Sequence, residues 1–236
     1  MGSVVIDCFQ ESSFRYRRSA AVVVVDVFRA TTTATTALAT GRKVFPARST
    51  DEAFVIASTL TNPLLVGEIG GNMPYGFHLT NSPAQIAEAP DVERPMVLLS
   101  SSGTELIMSA VGARALCIAC FRNFTAVAKW LMSQQYEEIA VLGAGTRGQF
   151  RIEDQMGCSW VTSHLLDAGY TPSTPQTREL VYRWREAAPQ EALKSESATY
   201  LVNSKQTHDV DFVLGHIDDL SIVPVLRNYE LVPAEE

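Results

Sequence analysis

The sequence predicts an α/β fold with three layers, α/β/α, in which a largely parallel or mixed sheet carries a functional site at the carboxyl ends of its strands. Two observations predict this fold. Short apolar runs alternate with longer helix-compatible stretches along most of the chain. Three of these runs lead into small loops rich in hydroxyl groups or glycine, with the sequences DVFRATTT, SSSGT and GAGTRG. Since parallel strands end at one edge of a sheet, we expect the three loops to converge there.

Residues 21–41 predict the central strand and helix. The apolar residues Ala21–Val25 form an unbroken β-branched run, which is typical of a strand buried on both faces. Asp26 follows that strand, and Arg29 with three threonines occupies the loop before the helix. Such a loop offers a carboxylate for a cation, and hydroxyls, an arginine and free amides for an anion. An ordinary capped loop with a surface ion pair would have the same sequence.

The other elements follow in chain order. Further strands are predicted at residues 4–8, 43–46, 63–67, 96–99, 114–120, 138–142 and 222–226. Helices are predicted at residues 34–41, 50–60, from 84, from about 104 to 112, 125–133, about 153–168, 190–204 and 208–220. Residues 171–190, rich in proline and charge, predict less regular structure. We expect one domain, residues 1–236, which could consist of two similar halves, 1–95 and 96–236.

The composition indicates a globular protein and argues against several partners. Of 236 residues, 46% are hydrophobic and 19% are charged, which is sufficient for a substantial core. The formal net charge of −7 argues against a nucleic-acid-binding face. No apolar run approaches the roughly 20 residues of a membrane helix, and no secretory signal is evident. We therefore expect a cytoplasmic protein without nucleic-acid or membrane partners, and a homo-oligomer is left open.

Acidic and basic side chains recur at the predicted strand ends and in the first turns of helices. The acids are Asp26, Glu68, Glu153 and Asp154. Carboxylate oxygens suit Mg²⁺, which usually takes one or two carboxylates together with waters and substrate oxygens. The arginines are Arg29, Arg122, Arg147 and Arg151. Positive charge concentrated at these places in an acidic protein predicts a small polyanionic ligand.

Two other interpretations remain open at this point. The segment GAGTRG fits the dinucleotide-binding pattern GxGxxG and would indicate an NAD(P)-dependent oxidoreductase. That fold also needs a strand ending in an acid about 20 residues further on, whereas Asp167 here ends a predicted helix. The second alternative is a non-catalytic protein that binds a small anion with the same arginine-containing loops.

Several motifs in order resemble the 2-phosphosulfolactate phosphatase family. They are DVFRATTTATTAL, GEIGG with GFHLTNSPAQI, SSSGTELI, FRNFTAVA, AGTRGQFRIEDQMGCSWV and the tail HDVDFVLGHIDDLSIVPVL. The resemblance covers nearly the whole chain. It implies a Mg²⁺-dependent phosphatase that converts 2-phosphosulfolactate to sulfolactate and phosphate, a step of coenzyme M biosynthesis in some lineages. Ile69, His78 and Thr80 depart from the family pattern, so a related phosphorylated 2-hydroxy acid is an alternative substrate.

The resemblance and the motifs together assign expected roles. The expected catalytic residues are Asp26, Arg29, Glu68, Glu153 and Asp154, with the four acids as Mg²⁺ ligands. The expected substrate-binding residues are Thr31, Thr32, Asn81, Ser101, Ser102, Gly103, Thr104, Asn123, Gly145, Thr146 and Arg147. Among them, Arg147 is expected to hold the carboxylate or sulfonate end. The chain lacks the DxDxT arrangement of aspartyl-phosphate phosphatases, which favours direct attack by water.

Overall fold

A single ten-stranded sheet lies between helices on both faces. The computed structural model describes residues 2–146 and 148–235. The three-layer α/β/α fold with a mixed sheet is therefore confirmed. The sheet takes strands from both halves of the chain, and a division into two similar halves stays a prediction. In the described residues no helix has the length and apolar character needed to cross a membrane.

The elements alternate as predicted over most of the chain. The strands are β1 (Ser3–Cys8), β2 (Ala21–Val25), β3 (Val44–Ala47), β4 (Leu64–Gly67), β5 (Met96–Leu99), β6 (Ala115–Ala119), β7 (Glu138–Gly143), β8 (Thr171–Pro172), β9 (Pro224–Arg227) and β10 (Glu230–Pro233). The helices are α1 (Gln10–Tyr16), α2 (Ala30–Ala39), α3 (Thr50–Ser58), α4 (Pro83–Glu88), α5 (Gly103–Ser109), α6 (Phe124–Gln134), α7 (Ile152–Asp167), α8 (Pro175–Trp184), α9 (Glu196–Asn203) and α10 (Thr207–Gly215). A 3₁₀-helix, Pro189–Lys194, precedes α9.

The sheet consists of two parallel blocks joined by a hairpin. Its strand order is β4-β5-β3-β10-β9-β6-β2-β7-β1-β8. Strands β4, β5 and β3 are parallel to one another, and so are β6, β2, β7, β1 and β8. The hairpin β9–β10 lies between the blocks and pairs antiparallel with β6 and β3. Three successive antiparallel pairings reverse the strand direction, so the two parallel blocks run in opposite senses.

The site lies at the carboxyl ends of strands, as predicted, but the strands do not all share one edge. A sheet twists by about 20–25° per strand, and five steps separate β5 from β2. A twist of that size accumulated over five steps would offset part of the reversal, and the ends of β5 and β2 do meet, since Gly103 lies against the Asp26 carboxylate. Helices α2 and α5 begin at these two ends and pack in the same core on one face of the sheet.

Strand β2 lies at the centre of the hydrophobic core. All five of its residues are buried, because α6, α7 and α8 cover one face of the sheet and α2 and α5 cover the other. Val23 and Val25 contribute to the first core, and Val22 and Val24 contribute to the second. Burial of each valine side chain contributes about 1.5 kcal/mol or more. The strand therefore fixes the position of Asp26, which follows it.

The structure departs from the sequence prediction mainly outside the βα units. Helix α1 and strand β10 were not predicted, and the irregular region 171–190 contains the regular helix α8. The helix predicted at 190–204 is interrupted at Ser195, whose side chain accepts a hydrogen bond from the Ala198 amide and starts α9. The helix predicted at 208–220 ends at Gly215. After that point the amides of Asp218 and Leu220 donate to the carbonyls of Phe121 and Arg122 instead.

Candidate active site

A cavity of about 450 Å³ lies at the carboxyl ends of β2, β4, β5 and β7. Its lining consists of the predicted loops and α9: Asp26, Phe28, Arg29, Glu68, Gly70, Gly71, Asn81, Ser101, Ser102, Thr146, Arg151, Glu196, Ser197, Tyr200 and Leu201. This volume is in the range of small-molecule sites. A second depression of similar volume, beside Trp130 and Tyr229, has no Asp or Glu among its described lining residues. The first cavity therefore contains the chemistry predicted from the sequence.

The loop that carries Asp26 is held by its own threonines. The Thr31 hydroxyl donates to the Asp26 carbonyl at 2.8 Å and accepts from the Asp26 amide at 3.0 Å. The Thr32 hydroxyl donates to the Val27 carbonyl at 2.8 Å. Both threonines are fully buried and absent from the cavity lining. They therefore shape the loop and hold the Asp26 backbone, and their hydroxyls are not directed to a ligand.

Asp26 is a buried carboxyl beside other acids. Burial, followed by the negative charges of Glu68 and Glu153, raises its pKa to about 7. The Ala30 amide, which donates to Oδ1 at 3.3 Å, and the Arg29 charge act in the opposite direction. A carboxyl with a pKa near neutrality can hold or release a proton at physiological pH. Asp26 thus has the environment of a functional group rather than that of a surface acid.

Glu68 joins the loops after β4 and β5. Its Oε1 accepts from the Ser101 amide at 2.8 Å, and its Oε2 accepts from the Gly71 amide at 2.6 Å and from the Ser101 hydroxyl at 3.0 Å. The same hydroxyl accepts from the Gly70 amide at 2.7 Å. Glu68 therefore lies in the cavity as predicted, with both oxygens hydrogen-bonded to backbone or hydroxyl donors.

Asp154 and Glu153, in the first turn of α7, have different surroundings. Asp154 accepts from the Val27 amide at 2.9 Å and from the Gly145 amide at 3.3 Å, so it joins the loops after β2 and β7. The Oε2 atom of Glu153 is buried and has no hydrogen-bond partner among the described residues. Burial raises the pKa of both carboxyls, and the neighbouring charges of Glu153 and Asp26 raise that of Asp154 further.

Some oxygens at the site lack donors, which is relevant to cation binding. Besides Glu153 Oε2, the buried Oδ1 of Asn81 in the cavity wall has no partner in the described part of the chain. Within residues 2–146 and 148–235, no three His, Cys, Asp or Glu side chains converge as a metal-binding group. A cation bound here would have one or two carboxylates as protein ligands. Asp26 lines the cavity, whereas Glu153 is absent from its lining, although its charge acts on Asp26 and its Oε2 has no donor in the described residues.

Two arginines contribute positive charge to the cavity. Arg29 Nη1 donates to Gln206 Oε1 at 2.6 Å and forms an ion pair with Asp209 of α10. Arg151 Nη1 donates to Gln149 Oε1 at 2.6 Å and forms an ion pair with Glu196 at the start of α9. Both guanidinium groups are nearly buried. The site therefore combines acids and cations, as predicted.

Several predicted residues lie elsewhere or serve the backbone. The Thr104 hydroxyl donates to the Ser100 carbonyl, and the Asn123 amide group bonds to the backbone of Cys120 and Ile222; neither residue lines the cavity. Ser102 and Thr146 do line it, and their hydroxyls lie 3.5 Å apart. Gly103 has its Cα against the Asp26 carboxylate. Arg147 lies outside the described residues.

The glycines of GAGTRG are not arranged as an open phosphate cradle. Gly143 lies against the Phe150 ring, and Gly145 lies against the Phe9 ring. The Gly145 amide donates to Asp154, and α7 begins only at Ile152. A dinucleotide fingerprint needs a helix that starts directly at the glycine turn. The geometry therefore gives no support to the NAD(P) interpretation.

Helix α9 was missed as a component of the site. Its residues Glu196, Ser197, Tyr200 and Leu201 line the cavity together with the loops that follow the strands. The sequence of α9 contains no glycine-rich or acidic motif, and it follows no strand directly. The serine cap at Ser195 was the one local signal, and it marks a helix start rather than a function.

Comparisons with known proteins point to one family. A family model described as 2-phosphosulpholactate phosphatase matches residues 8–229. A probable 2-phosphosulfolactate phosphatase of Carboxydothermus hydrogenoformans is 33% identical over 218 residues, which cover 92% of this chain and 90% of the relative. One of Deinococcus radiodurans is 32% identical over 216 residues, with 90% of each chain covered. One of Symbiobacterium thermophilum is 33% identical over 222 residues, covering 90% of this chain and 94% of the relative.

Proposed function

Because the chain belongs to the 2-phosphosulpholactate phosphatase family, we propose that its cavity hydrolyses 2-phosphosulfolactate to sulfolactate and inorganic phosphate. The chain is accordingly a phosphoric monoester hydrolase. The observation that supports this activity most directly is that one cavity contains Asp26, Glu68 and Arg29. Neither acids alone nor cations alone would serve a phosphate ester, since its hydrolysis needs both charge neutralisation and a positioned nucleophile.

The arrangement of Arg29 suits a phosphoryl group. Its Nη1 makes both of its hydrogen bonds, so Nη2 and Nε have no hydrogen-bond partner within the described residues. The transition state of phosphoryl transfer spreads negative charge over three equatorial oxygens, and donors held in place stabilise that charge. Asp209 prevents Arg29 from turning away, because the two side chains are fixed in a buried ion pair. Ser102, in the same cavity, can donate a further hydrogen bond.

We propose Mg²⁺ as the cofactor, held by Asp26 and Glu153 with Asn81 as a third oxygen ligand. Support comes from the oxygens of Glu153 and Asn81 that lack a donor among the described residues, and from the raised pKa of Asp26. Such oxygens suit a hard cation that keeps several waters. When bound, Mg²⁺ would neutralise charge on the phosphoryl oxygens and orient the ester. Glu68 and Asp154, whose oxygens already accept hydrogen bonds, are then positioning residues.

Water is the proposed nucleophile. The chain lacks DxDxT, the arrangement that aspartyl-phosphate phosphatases use, and Asp26 is followed by Val27 and Phe28. The Oδ1 atom of Asp26 accepts from the Ala30 amide, and Gly103 covers the carboxylate on one side. These contacts orient the carboxyl and limit the directions from which phosphorus could approach it. In this proposal Asp26 is therefore a ligand of the cation rather than the nucleophile.

The test is the release of inorganic phosphate from 2-phosphosulfolactate, with 2-phospholactate and phosphoglycolate alongside, in Mg²⁺ and in EDTA. We expect release that depends on Mg²⁺ and is fastest with the sulfonate-bearing ester. An equal rate in EDTA would contradict the cofactor. Release from the other two esters only would indicate a different substrate, for which Ile69, His78 and Thr80 are the first residues to exchange. No release from any ester would favour the non-catalytic anion-binding alternative.

A further inference from the structure

The two arginines of the cavity have ion-pair partners of very different accessibility. Asp209, the partner of Arg29, has a fully buried side chain that also accepts from the Ser82 hydroxyl at 2.5 Å and from the Ala84 amide at 3.3 Å. Glu196, the partner of Arg151, has a side chain that is 66% exposed. A buried, multiply bonded carboxylate cannot leave its partner without loss of several hydrogen bonds. A carboxylate that lies mostly in solvent loses less when water replaces its contact with the arginine.

Arg151 itself resembles a binding residue more than a surface ion pair. Its side chain is only 9% exposed, although its partner is mostly in solvent. Its Nε is buried and has no hydrogen-bond partner in the described part of the chain. Because the guanidinium group is planar and carries donors in a fixed fork, it binds an oxyanion with two parallel hydrogen bonds. The present contacts of Arg151, both through Nη1, leave that capacity unused.

We propose that Arg151 binds the second acidic group of the substrate, and that this group displaces Glu196. This inference rests on the proposed function, since 2-phosphosulfolactate carries a sulfonate and a carboxylate besides its phosphate. Arg29 belongs to the loop of Asp26 and serves the phosphoryl group. Arg151 precedes α7 and is paired with Glu196 of α9, so the two arginines lie on different elements of the cavity lining and can bind different groups of one small polyanion. Glu196 occupies the place of the incoming anion until the substrate binds.

The ion pair between Arg151 and Glu196 also gives selectivity. A ligand without a second anion would have to leave the pair intact and would gain nothing from Arg151. When a ligand with a sulfonate or carboxylate binds, Arg151 exchanges one partner for another. It loses a solvent-exposed ion pair, which contributes little binding free energy, and gains a hydrogen-bonded anion inside the cavity. Arg151 is therefore a specificity-determining residue. A ligand binds to it only if its second anion interacts with Arg151 more favourably than Glu196 does.

Steady-state kinetics on the full chain test this proposal with three esters. They are 2-phosphosulfolactate, 2-phospholactate and ethyl phosphate, which has no second acidic group. For Arg151→Met we expect kcat/KM to fall about 10- to 150-fold with 2-phosphosulfolactate, the range of a lost charged hydrogen bond, and less than about threefold with ethyl phosphate. Arg151→Lys should restore part of the loss. A smaller loss with 2-phospholactate than with 2-phosphosulfolactate would assign the sulfonate to Arg151, and an equal loss would assign the carboxylate.

The Glu196→Gln variant tests displacement. Because the neutral amide competes less well for Arg151, we expect KM for 2-phosphosulfolactate to fall about two- to fivefold, with ethyl phosphate unaffected. The matched control is Lys194→Met, which removes the exposed Lys194–Glu191 ion pair just before α9. It should leave KM unchanged for both 2-phosphosulfolactate and ethyl phosphate. If Glu196→Gln instead lowers kcat/KM for 2-phosphosulfolactate as much as Arg151→Met does, Glu196 holds Arg151 in place for binding, and the proposal is overturned.

Binding measurements separate this inference from the proposed function. Calorimetric titration of sulfolactate into the wild-type chain and Arg151→Met needs no turnover, and thermal unfolding shows that each variant is folded. If the wild type releases no phosphate but binds sulfolactate, and Arg151→Met loses that binding, the proposed function is wrong and the role of Arg151 stands. Equal losses with all three esters, or no binding of sulfolactate to the wild type, would overturn the role of Arg151.

Discussion

Gly103 lies with its Cα against the carboxylate of Asp26, at the point where the first turns of α2 and α5 meet. A β-carbon on Gly103 would collide with Oδ2 of Asp26 and would lie 2.6 Å from Cβ of Ala30. This contact joins a residue after β5 to a residue after β2, across the two opposed blocks of the sheet. It requires glycine because of close approach, and the carboxyl that it touches is the centre of the proposed reaction.

We predict that Gly103→Ala lowers kcat about 10- to 100-fold, because the added methyl group displaces the Asp26 carboxylate by a fraction of an ångström or more. Phosphate release from 2-phosphosulfolactate measures the loss. The control is Gly215→Ala at the end of α10, where nothing lies within 4 Å of the added carbon. Wild-type activity in a folded Gly103→Ala variant would show that the position of Asp26 is not critical.

We predict that Asp26→Asn abolishes turnover but stabilises the metal-free protein at high pH. The pKa of Asp26 is raised from 3.8 to about 7 in the folded chain, so the folded state binds this proton more tightly than the unfolded state does. The free energy of unfolding therefore falls as the pH rises from about 4 through about 7. The asparagine side chain cannot ionise, so in Asp26→Asn this fall in the free energy of unfolding is absent. In EDTA at pH 8, the Tm of Asp26→Asn should be several degrees above that of the wild type, which corresponds to about 1 kcal/mol or more in the free energy of unfolding. Near pH 4 the two Tm values should be equal.

A gain in Tm that is the same at pH 4 and pH 8 would mean that packing, rather than charge, causes the stabilisation. Full Mg²⁺-dependent turnover by Asp26→Asn would remove Asp26 from the reaction altogether.

We predict opposite effects for two adjacent acids of α7. In Asp154→Asn an amide group replaces an oxygen that accepts from the Val27 or Gly145 amide, so this variant should be about 1–3 kcal/mol less stable than Glu153→Gln, which also removes a buried charge. Glu153→Gln removes no hydrogen bond from Oε2 in the described residues, so its stability in EDTA should change little or rise. Its Mg²⁺ affinity should fall about tenfold or more, since a neutral ligand replaces a charged one. Denaturant unfolding measures the stability, and Mg²⁺ titration of the Tm measures the affinity.

Equal Mg²⁺ affinities for wild type and Glu153→Gln would exclude Glu153 as a ligand. A greater loss of affinity in Asp154→Asn than in Glu153→Gln would reverse the roles assigned to the two acids.

We predict that Asp209→Ala destabilises the protein much more than Asp219→Ala. Each aspartate pairs with a nearly buried arginine, but Asp209 is fully buried and the Asp219 side chain is about one-third exposed. Removal of Asp209 leaves Arg29 as an uncompensated buried charge, which typically costs about 3–5 kcal/mol. Water can replace Asp219 beside Arg122, so that loss should be about 1 kcal/mol. Urea unfolding of both variants measures the difference, and equal losses would contradict the assigned burial of the two pairs.

The strand and loop segments of the site could be predicted from the sequence because their signals are local. An unbroken apolar run such as Ala21–Val25 can bury all its side chains only where both faces of the sheet are covered by helices. The residues that follow the run must then lie at the end of a strand. The prediction that the loops of Asp26, Ser101 and Thr146 converge also assumed that all their strands end at one edge. That assumption is wrong for β5, which runs opposite to β2 and β7, although the loops do line one cavity.

The roles of the hydroxyl and amide groups could not be predicted in the same way. Thr31, Thr104 and Asn123 stand in loops typical of ligand binding, yet their polar groups bond to the backbone a few residues away. The same side chain can cap its own turn or bind an anion, and the residue type does not distinguish the two. Helix α9 was missed for another reason, since only the tertiary fold brings Glu196 near Arg151.

The hairpin β9–β10 has a consequence for the synthesis of the chain on the ribosome. Every strand of the two parallel blocks has been translated by residue 172, but the hairpin that joins the blocks is encoded in residues 224–233. Until those residues leave the exit tunnel, β3 and β6 remain as two unpaired strand edges. Open edges are templates for pairing between chains. The nascent chain therefore passes through a state prone to aggregation, and a stop codon just before the hairpin would make that state permanent.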